Sequence, residues 1–181
     1  RMDGGTIASP LKGRFDFSRA VAIGHSLGGK VAVMSCAIDA RWSRCVNLDG
    51  GLDAGERYPR IDKPLLAVYG APSPVQLPIE TEEQFRTRRA RNATFLESAS
   101  NRELIAQYEN VVGPGTIAYV SSPGFSHFAY YDLVQPDAEQ WGATPERSAR
   151  NLAIVRATIL AFLHGESLAR PELTLVPLGK P

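Results

Sequence analysis

This sequence shows no excess charge of one sign, no long apolar run and no internal repeat. Its 20 lysines and arginines almost balance 19 aspartates and glutamates, so the net charge of +1 gives no reason to expect nucleic acid as a partner. No stretch approaches the ~20 consecutive apolar residues that cross a bilayer, so we expect no transmembrane segment. The chain is 44% hydrophobic and 22% charged, and its 181 residues are enough for one globular domain with a sizeable core.

Residue types that bind metals are also scarce. The chain has two cysteines and three histidines, and no group of His, Cys, Asp or Glu shows the spacing of metal ligands. We therefore predict no metal and no cofactor. Cys36 and Cys45 are expected to be reduced, buried thiols that pack as small hydrophobic residues, in preference to a disulfide.

Four short apolar runs alternate with helical stretches along the chain, at residues 20–23, 45–48, 65–69 and 116–120. Continuous apolar runs separated by helices are typical of parallel strands buried on both faces, which predicts an α/β fold with a mostly parallel sheet. A first helix is predicted at about residues 27–38. A last helix starts at Thr144-Pro145-Glu146 and ends at Gly165. The residues of this helix predicted to face the core are Leu152, Val155, Ile159, Leu160 and Leu163.

We assign residues 1–165 to the C-terminal portion of a single domain. Within it, the polar block at residues 80–112 is predicted to form one or two amphipathic helices over the sheet, with a lid role as the less favoured interpretation. The tail at residues 166–181 contains three prolines and is predicted to be extended.

A serine between glycines follows the first apolar run. Ser26 lies in G-H-S-L-G at residues 24–28, immediately before the first helix. A strand that turns sharply into a helix needs backbone angles that glycine adopts at low cost, and small residues where the two elements approach. Such a turn exposes the serine hydroxyl beside the backbone N–H groups that follow it. The pattern predicts Ser26 as a nucleophile and the N–H of Leu27 as an oxyanion-hole donor.

A serine nucleophile requires a base, and the chain offers three histidines. His25 lies inside the turn, where its ring is not expected to reach back to Ser26, and His164 ends the last helix. His127 follows the fourth strand in the loop "SSPGFSHFAYYD", where a catalytic base is expected. We predict His127 as the base and assign His25 and Phe128 to substrate binding.

The acid that orients the base is predicted one strand earlier than is usual in doubly wound hydrolases. The loop after the third strand contains no carboxylate until Glu80, whereas the second strand ends directly in Asp49. A carboxylate at that strand end can approach His127 from the neighbouring strand. We therefore predict Asp49 as the acid, with Asp53 as its nearest competitor and Asp132 beyond the base.

The residues from about 15 to 133 resemble the platelet-activating-factor acetylhydrolase family, which includes lipoprotein-associated phospholipase A2 and bacterial relatives. The resemblance rests on the segments "GHSLGGKVAV", "DARWSRCVNLDGGL", "YPRIDKPLLAVYG" and "GFSHFAYYD". It implies an α/β-hydrolase fold, with Ser26, Asp49 and His127 as nucleophile, acid and base, and it favours a secreted or periplasmic location. The sequence itself assigns no compartment.

Two departures from that family concern the substrate. "LDGG" lacks the aromatic residue that the animal enzymes place after the aspartate, and the block at residues 80–110 is longer. Chlorophyllases also share the G-H-S-x-G-G-K segment and a strand ending in V-D. Polyester-degrading cutinases share the serine turn but take the acid from the later loop. The identities of the acyl group and the alcohol therefore stay open.

The expected activity is hydrolysis of a carboxylic ester through an acyl-enzyme, on lipid or short-chain acyl esters. Alternatives are a non-catalytic binding protein that keeps the hydrolase fold, and an acyltransferase that uses the same residues.

Only 25 residues precede Ser26, whereas an α/β-hydrolase places several strands and one oxyanion-hole loop before this turn. The first apolar run would form an exposed edge if it had no neighbour. We therefore expect the N-terminal part of the hydrolase, on a separate chain or segment, to pair beside residues 20–23.

Overall fold

A computed structural model describes residues 14, 16–52, 60–70, 83, 87, 108, 115–122, 125, 127, 129–130 and 144–178. A short 3-10 helix at Phe17–Arg19 precedes strand β1 at Val21–His25 and helix α1 at Leu27–Ile38. Strands β2 at Arg44–Leu48, β3 at Leu65–Gly70 and β4 at Gly115–Val120 follow. Helix α2 at Pro145–His164 and strand β5 at Leu173–Leu178 complete the described elements.

The five strands form one sheet in the order β1-β2-β3-β4-β5. The first four strands are parallel to their neighbours, whereas β5 runs antiparallel to β4. A mostly parallel sheet with helices is the predicted α/β arrangement. Because parallel strands point the same way, the carboxyl ends of β1, β2, β3 and β4 lie at one edge of the sheet.

Strands β2, β3 and β4 are buried on both faces, which explains why they are continuously apolar in sequence. On one face, α1 packs through Val33 and Cys36 onto Cys45 and Leu65. On the other face, α2 packs through Ile154 and Val155 onto a second set of strand residues, which are Val46, Leu48, Leu66, Val68, Ala118 and Val120. The alternation along each strand places neighbouring residues in opposite clusters.

The fifth strand was not among the predicted strands. It lies in the segment predicted as an extended tail and contains Pro177, which faces Thr116 of β4. Proline cannot donate to a strand ladder, and it is therefore tolerated at an edge strand such as β5. Its half-exposed residues lack the continuous apolar run that marks the other four strands.

Helix α2 begins and ends where the sequence predicts, and it buries only part of the predicted face. The Thr144 side chain accepts a hydrogen bond from the Arg147 N–H, and Gly165 ends the helix with a φ of 72°. Leu160, predicted to face the core, is 53% exposed. The buried residues are Asn151, Ile154, Val155, Thr158 and Ala161. The prediction was wrong for Leu160, whereas Val155 is buried and Ile159 packs against the core as predicted. The buried stripe also contains two polar residues, each with a hydrogen-bond partner: Ser122 donates to Asn151, and Thr158 donates to the Ile154 carbonyl.

The two cysteines form a disulfide, which corrects the expectation of reduced thiols. Cys36 of α1 is bonded to Cys45 of β2, and both residues are buried. The helix places Cys36 directly over β2, so the two side chains meet across the helix–sheet interface. The bond therefore ties the helix that follows Ser26 to the strand that precedes Asp49.

Strand β1 is an edge of the described sheet, and a row of apolar side chains near it is exposed. Ile23 of β1 is 48% exposed, and the exposed large hydrophobic residues of α1 are Leu27, Val31, Met34 and Ile38. The four α1 residues follow a spacing of three or four and so share one side of the helix. Within the described ranges no strand lies on the outer side of β1.

The polar block at residues 80–112 lies almost wholly outside the described residues. Glu83, Thr87 and Tyr108 are described, and all three are helical. In the part of the chain that the structure describes, no helix combines the length and the apolar character that crossing a membrane requires.

Candidate active site

Ser26 occupies a sharp turn between β1 and α1. Its φ of 55° and ψ of −125° lie outside the regions that non-glycine residues ordinarily adopt. Its N–H donates to the Leu48 carbonyl at 2.8 Å, and its own carbonyl accepts from the Gly29 N–H at 2.9 Å. Neighbouring elements therefore hold Ser26 in a strained conformation, which is a recurrent feature of functional sites.

Close approach of strand and helix explains the first glycine of the motif. A Cβ at Gly24 would lie 1.9 Å from the Gly28 carbonyl oxygen, so no larger residue fits there. A Cβ at Gly28, the last glycine of the motif, would have no described atom within 4 Å, so sterics do not require glycine there. Gly29, directly after the motif, is constrained, because a Cβ there would lie 2.0 Å from Asn47 Oδ1.

Leu27 is the first residue of α1, and its side chain is 72% exposed beside Ser26. The first N–H groups of a helix have no carbonyl partner within the helix. They also lie at the positive end of the helix dipole. The Leu27 N–H is thus available to stabilise an oxyanion that forms at Ser26.

Asp49 follows β2 directly, so it lies with Ser26 at the carboxyl ends of the parallel strands. Its N–H donates to the Val68 carbonyl of β3 at 2.9 Å, and its φ is 55°. Aspartate tolerates this left-handed conformation better than most residues. The Asp49 side chain is 22% exposed.

His127 Nδ1 lies 2.6 Å from Asp49 Oδ2. An ionised carboxylate can only accept a hydrogen bond, so Nδ1 carries the proton and donates it. The Nε2 atom of the neutral ring is then left with a lone pair and can take a proton. The histidine side chain is 21% exposed, so this short contact is partly shielded from water.

His25 contacts the loop that carries His127. Its Nε2 lies 2.8 Å from the His127 carbonyl oxygen, and because a carbonyl only accepts, Nε2–H donates. The His25 ring centroid lies 4.5 Å from that of His127 and 5.0 Å from that of Tyr130. Burial, followed by the charge of His127, lowers the pKa of His25. His25 was predicted to bind substrate, and the structure shows in addition a contact with the predicted base that sequence reasoning did not anticipate.

The structure thus brings Asp49 and His127 together and places Ser26 at the end of the adjacent strand. Phe128, Asp53 and Asp132 lie outside the described residues. His164 is at the end of α2, with Nδ1 3.6 Å from Glu166 Oε1. No group of three His, Cys, Asp or Glu side chains among the residues described could hold a metal ion.

Sequence reasoning missed Asn47, which is fully buried in β2, two residues before Asp49. The only signal for it is a polar residue inside the apolar strand "RCVNL". Comparison of the chain with protein-family models and with curated proteins found no match.

Proposed function

We propose that the protein is a serine carboxylester hydrolase built on an α/β-hydrolase fold. The observation that carries the proposal is the 2.6 Å contact between His127 Nδ1 and Asp49 Oδ2, at the sheet edge where Ser26 occupies its strained turn. A hydrogen-bonded acid and base at the strand ends that also carry a serine is the arrangement that activates a serine nucleophile.

The reaction proceeds in two halves. Ser26 Oγ attacks the ester carbonyl carbon while His127 Nε2 takes the hydroxyl proton, and the Leu27 N–H donates to the resulting oxyanion. Collapse of the tetrahedral intermediate breaks the bond to the alcohol, which leaves with the proton from His127. Water then attacks the acyl-enzyme by the same route and releases the acid. Asp49 keeps the imidazole in the reactive tautomer throughout.

The proposed substrates are lipid or short-chain acyl esters, in keeping with the resemblance to platelet-activating-factor acetylhydrolases. The exposed apolar side chain of Leu27 beside the nucleophile supports an apolar acyl group. Phe128, which follows the base in sequence, is proposed to contact the substrate.

The same proposal includes a polypeptide neighbour for β1, namely the N-terminal part of the hydrolase. It is supported by the outer edge of β1, where no strand of the described residues pairs, and by the exposed Ile23, and the exposed α1 residues extend the apolar surface. A strand added beside β1 would pair with the backbone groups of this edge and cover Ile23.

The test is turnover of p-nitrophenyl esters of increasing chain length, together with a short-chain phospholipid, by the intact protein. Ser26→Ala and His127→Ala should abolish turnover, whereas His164→Ala, which changes an exposed histidine at the end of α2, should retain it. Asp49→Asn should lower kcat about 10⁴-fold because the tautomer is no longer fixed. The matched change Asp62→Asn, at an exposed aspartate paired with Arg60, should have no effect.

Turnover of all these esters at the parental rate by Ser26→Ala would contradict the proposal. Transfer of the acyl group to an added alcohol in preference to water would indicate an acyltransferase. Binding of an ester without turnover would indicate a non-catalytic binding protein.

A further inference from the structure

A buried polar network lies directly beneath the turn that carries Asp49. Asn47 is fully buried, and its Oδ1 accepts a hydrogen bond from the Gly50 N–H at 2.8 Å. Its Nδ2 donates to the Gly50 carbonyl at 2.7 Å. One amide side chain therefore binds both backbone polar groups of the residue that follows Asp49.

Two buried tyrosines complete the network. Asn47 Nδ2 also donates to the Tyr108 hydroxyl at 2.5 Å, and the Tyr69 hydroxyl donates to the Gly50 carbonyl at 2.8 Å. The two hydroxyls lie 2.9 Å apart. Because the Tyr69 proton goes to Gly50, the Tyr108 hydroxyl is the donor between them. Both N–H protons of Asn47 and both tyrosine protons are then used, and the Gly50 carbonyl accepts two hydrogen bonds.

The network constrains Asp49 from its C-terminal side. On its N-terminal side, the Asp49 N–H is bound to the Val68 carbonyl at 2.9 Å. The left-handed φ of 55° at Asp49 is unfavourable in an unsupported chain and persists where the surroundings fix it. Asn47 and β3 therefore fix the peptide groups on both sides of Asp49, and with them the direction of its carboxylate.

The same network touches the turn of the nucleophile. A Cβ at Gly50 would lie 2.4 Å from the Ser26 carbonyl oxygen, and a Cβ at Gly29 would lie 2.0 Å from Asn47 Oδ1. The acid turn, the serine turn and the first turn of α1 thus meet around Asn47. A displacement of Asn47 is transmitted by contact to all three.

We propose that Asn47 is a positioning residue, which through Gly50 sets the orientation of the Asp49 carboxylate toward His127, with Tyr69 and Tyr108 holding Asn47 in place. This role deepens the proposed esterase function and rests on it for its kinetic consequence. The geometric part, the orientation of Asp49, stands independently of any turnover.

The test compares hydroxyl deletions at two neighbouring buried tyrosines in the intact protein. Tyr69→Phe removes a hydroxyl that donates to Gly50, whereas Tyr119→Phe removes a buried hydroxyl for which the described residues provide no partner. Tyr119 is the matched control because its ring lies 6.2 Å from that of Tyr69 in the same cluster. Asn47→Ala is the stronger perturbation.

Two readouts distinguish positioning from general stability. The first is the proton NMR signal of His127 Nδ1–H, which lies far downfield while the short bond to Asp49 is intact. The second is the division of the kinetic effect between kcat and KM. We expect Tyr69→Phe to shift the His127 signal upfield and to lower kcat about tenfold with KM little changed. Asn47→Ala should lower kcat about 10²-fold. Tyr119→Phe should leave both readouts at parental values.

An unchanged His127 signal in folded Tyr69→Phe and Asn47→Ala would overturn the proposal. Failure of the proposed function gives a different result: the parental protein then shows the downfield signal and Tyr69→Phe shifts it upfield, yet the parental protein turns over no ester. If Asn47→Ala does not fold, Tyr69→Phe decides the matter, since it keeps the ring and removes one oxygen.

Discussion

Replacing Gly50 with alanine should push the turn that carries Asp49 away from the turn that carries Ser26. The new methyl carbon would lie 2.4 Å from the Ser26 carbonyl oxygen, 2.5 Å from Asn47 Oδ1 and 2.8 Å from the backbone nitrogen of Lys30. Ordinary van der Waals contact begins at 3.4 Å, so Gly50 and Ser26 must move apart by about 1 Å, from 2.4 to 3.4 Å. Gly50 does not have a positive φ, so the expected penalty is steric.

Two magnitudes follow from that displacement. Overpacking of this kind costs about 1–3 kcal/mol in the free energy of unfolding. A misplacement of ~1 Å between catalytic groups costs about 10²-fold in rate. Gly51→Ala is the matched control, because Gly51 is exposed and no described atom lies within 4 Å of a built Cβ.

The assays are denaturant unfolding and the rate of p-nitrophenyl ester turnover for both variants. We expect Gly50→Ala to lose stability and activity by these amounts and Gly51→Ala to match the parent. Parental stability in Gly50→Ala would refute the close approach of the two turns. Parental activity in a destabilised Gly50→Ala would refute the idea that this approach sets the catalytic geometry.

Removing the disulfide with the pair Cys36→Ala and Cys45→Ala should lower the free energy of unfolding by about 2.5 kcal/mol, from the closure entropy of a loop with a sequence separation of 9; unchanged denaturant unfolding would contradict this. Burial, more than the charge of His127, lowers the pKa of His25, so below about pH 6.5 the unfolded chain binds a proton that the folded protein does not. Stability should therefore fall as the pH decreases from 6.5 through the folded pKa of His25, less steeply in His25→Gln; an equal slope in both proteins would argue against it. Burial raises the pKa of Tyr119 to about 12, and also raises the pKa of Tyr69. Both phenols should stay protonated at about pH 10–11 in the folded protein. The test is the phenolate absorbance lost in Tyr69→Phe and in Tyr119→Phe relative to the parent, and a difference already present at about pH 10 in folded protein would disagree.

The parallel part of the fold could be predicted because its strands appear as apolar runs, which in β2, β3 and β4 reflects burial on both faces. Strand β5 could not, because it is half-exposed and contains Pro177. Helix α2 was predicted with its correct start and end, since Thr144, Pro145 and Gly165 carry local terminal signals. Its buried face was predicted only in part: Val155 is buried as expected, but burial of Asn151 depends on a partner, Ser122, that is distant in sequence.

The candidate site, like the fold, could be predicted from the sequence only in part. The order of serine, acid and histidine and their places after strands are sequence features, and they led to Asp49 in preference to the carboxylate-free loop after β3. The disulfide depends on how Cys36 of α1 is placed over β2, which the spacing of two cysteines does not reveal. Asn47 is predictable only as a polar residue within an apolar strand, because its function depends on contacts with Gly50 and two tyrosines.

The central claim, that Ser26 is an activated nucleophile, is tested most directly by reaction with a fluorophosphonate followed by peptide mass mapping. We predict one adduct, on the peptide that contains Ser26, in the folded intact protein. The adduct should be absent in Ser26→Ala and after denaturation, and it should form much more slowly in His127→Ala than in His164→Ala. A folded protein whose Ser26 remains unlabelled, or one that is labelled at a different residue, would contradict the account.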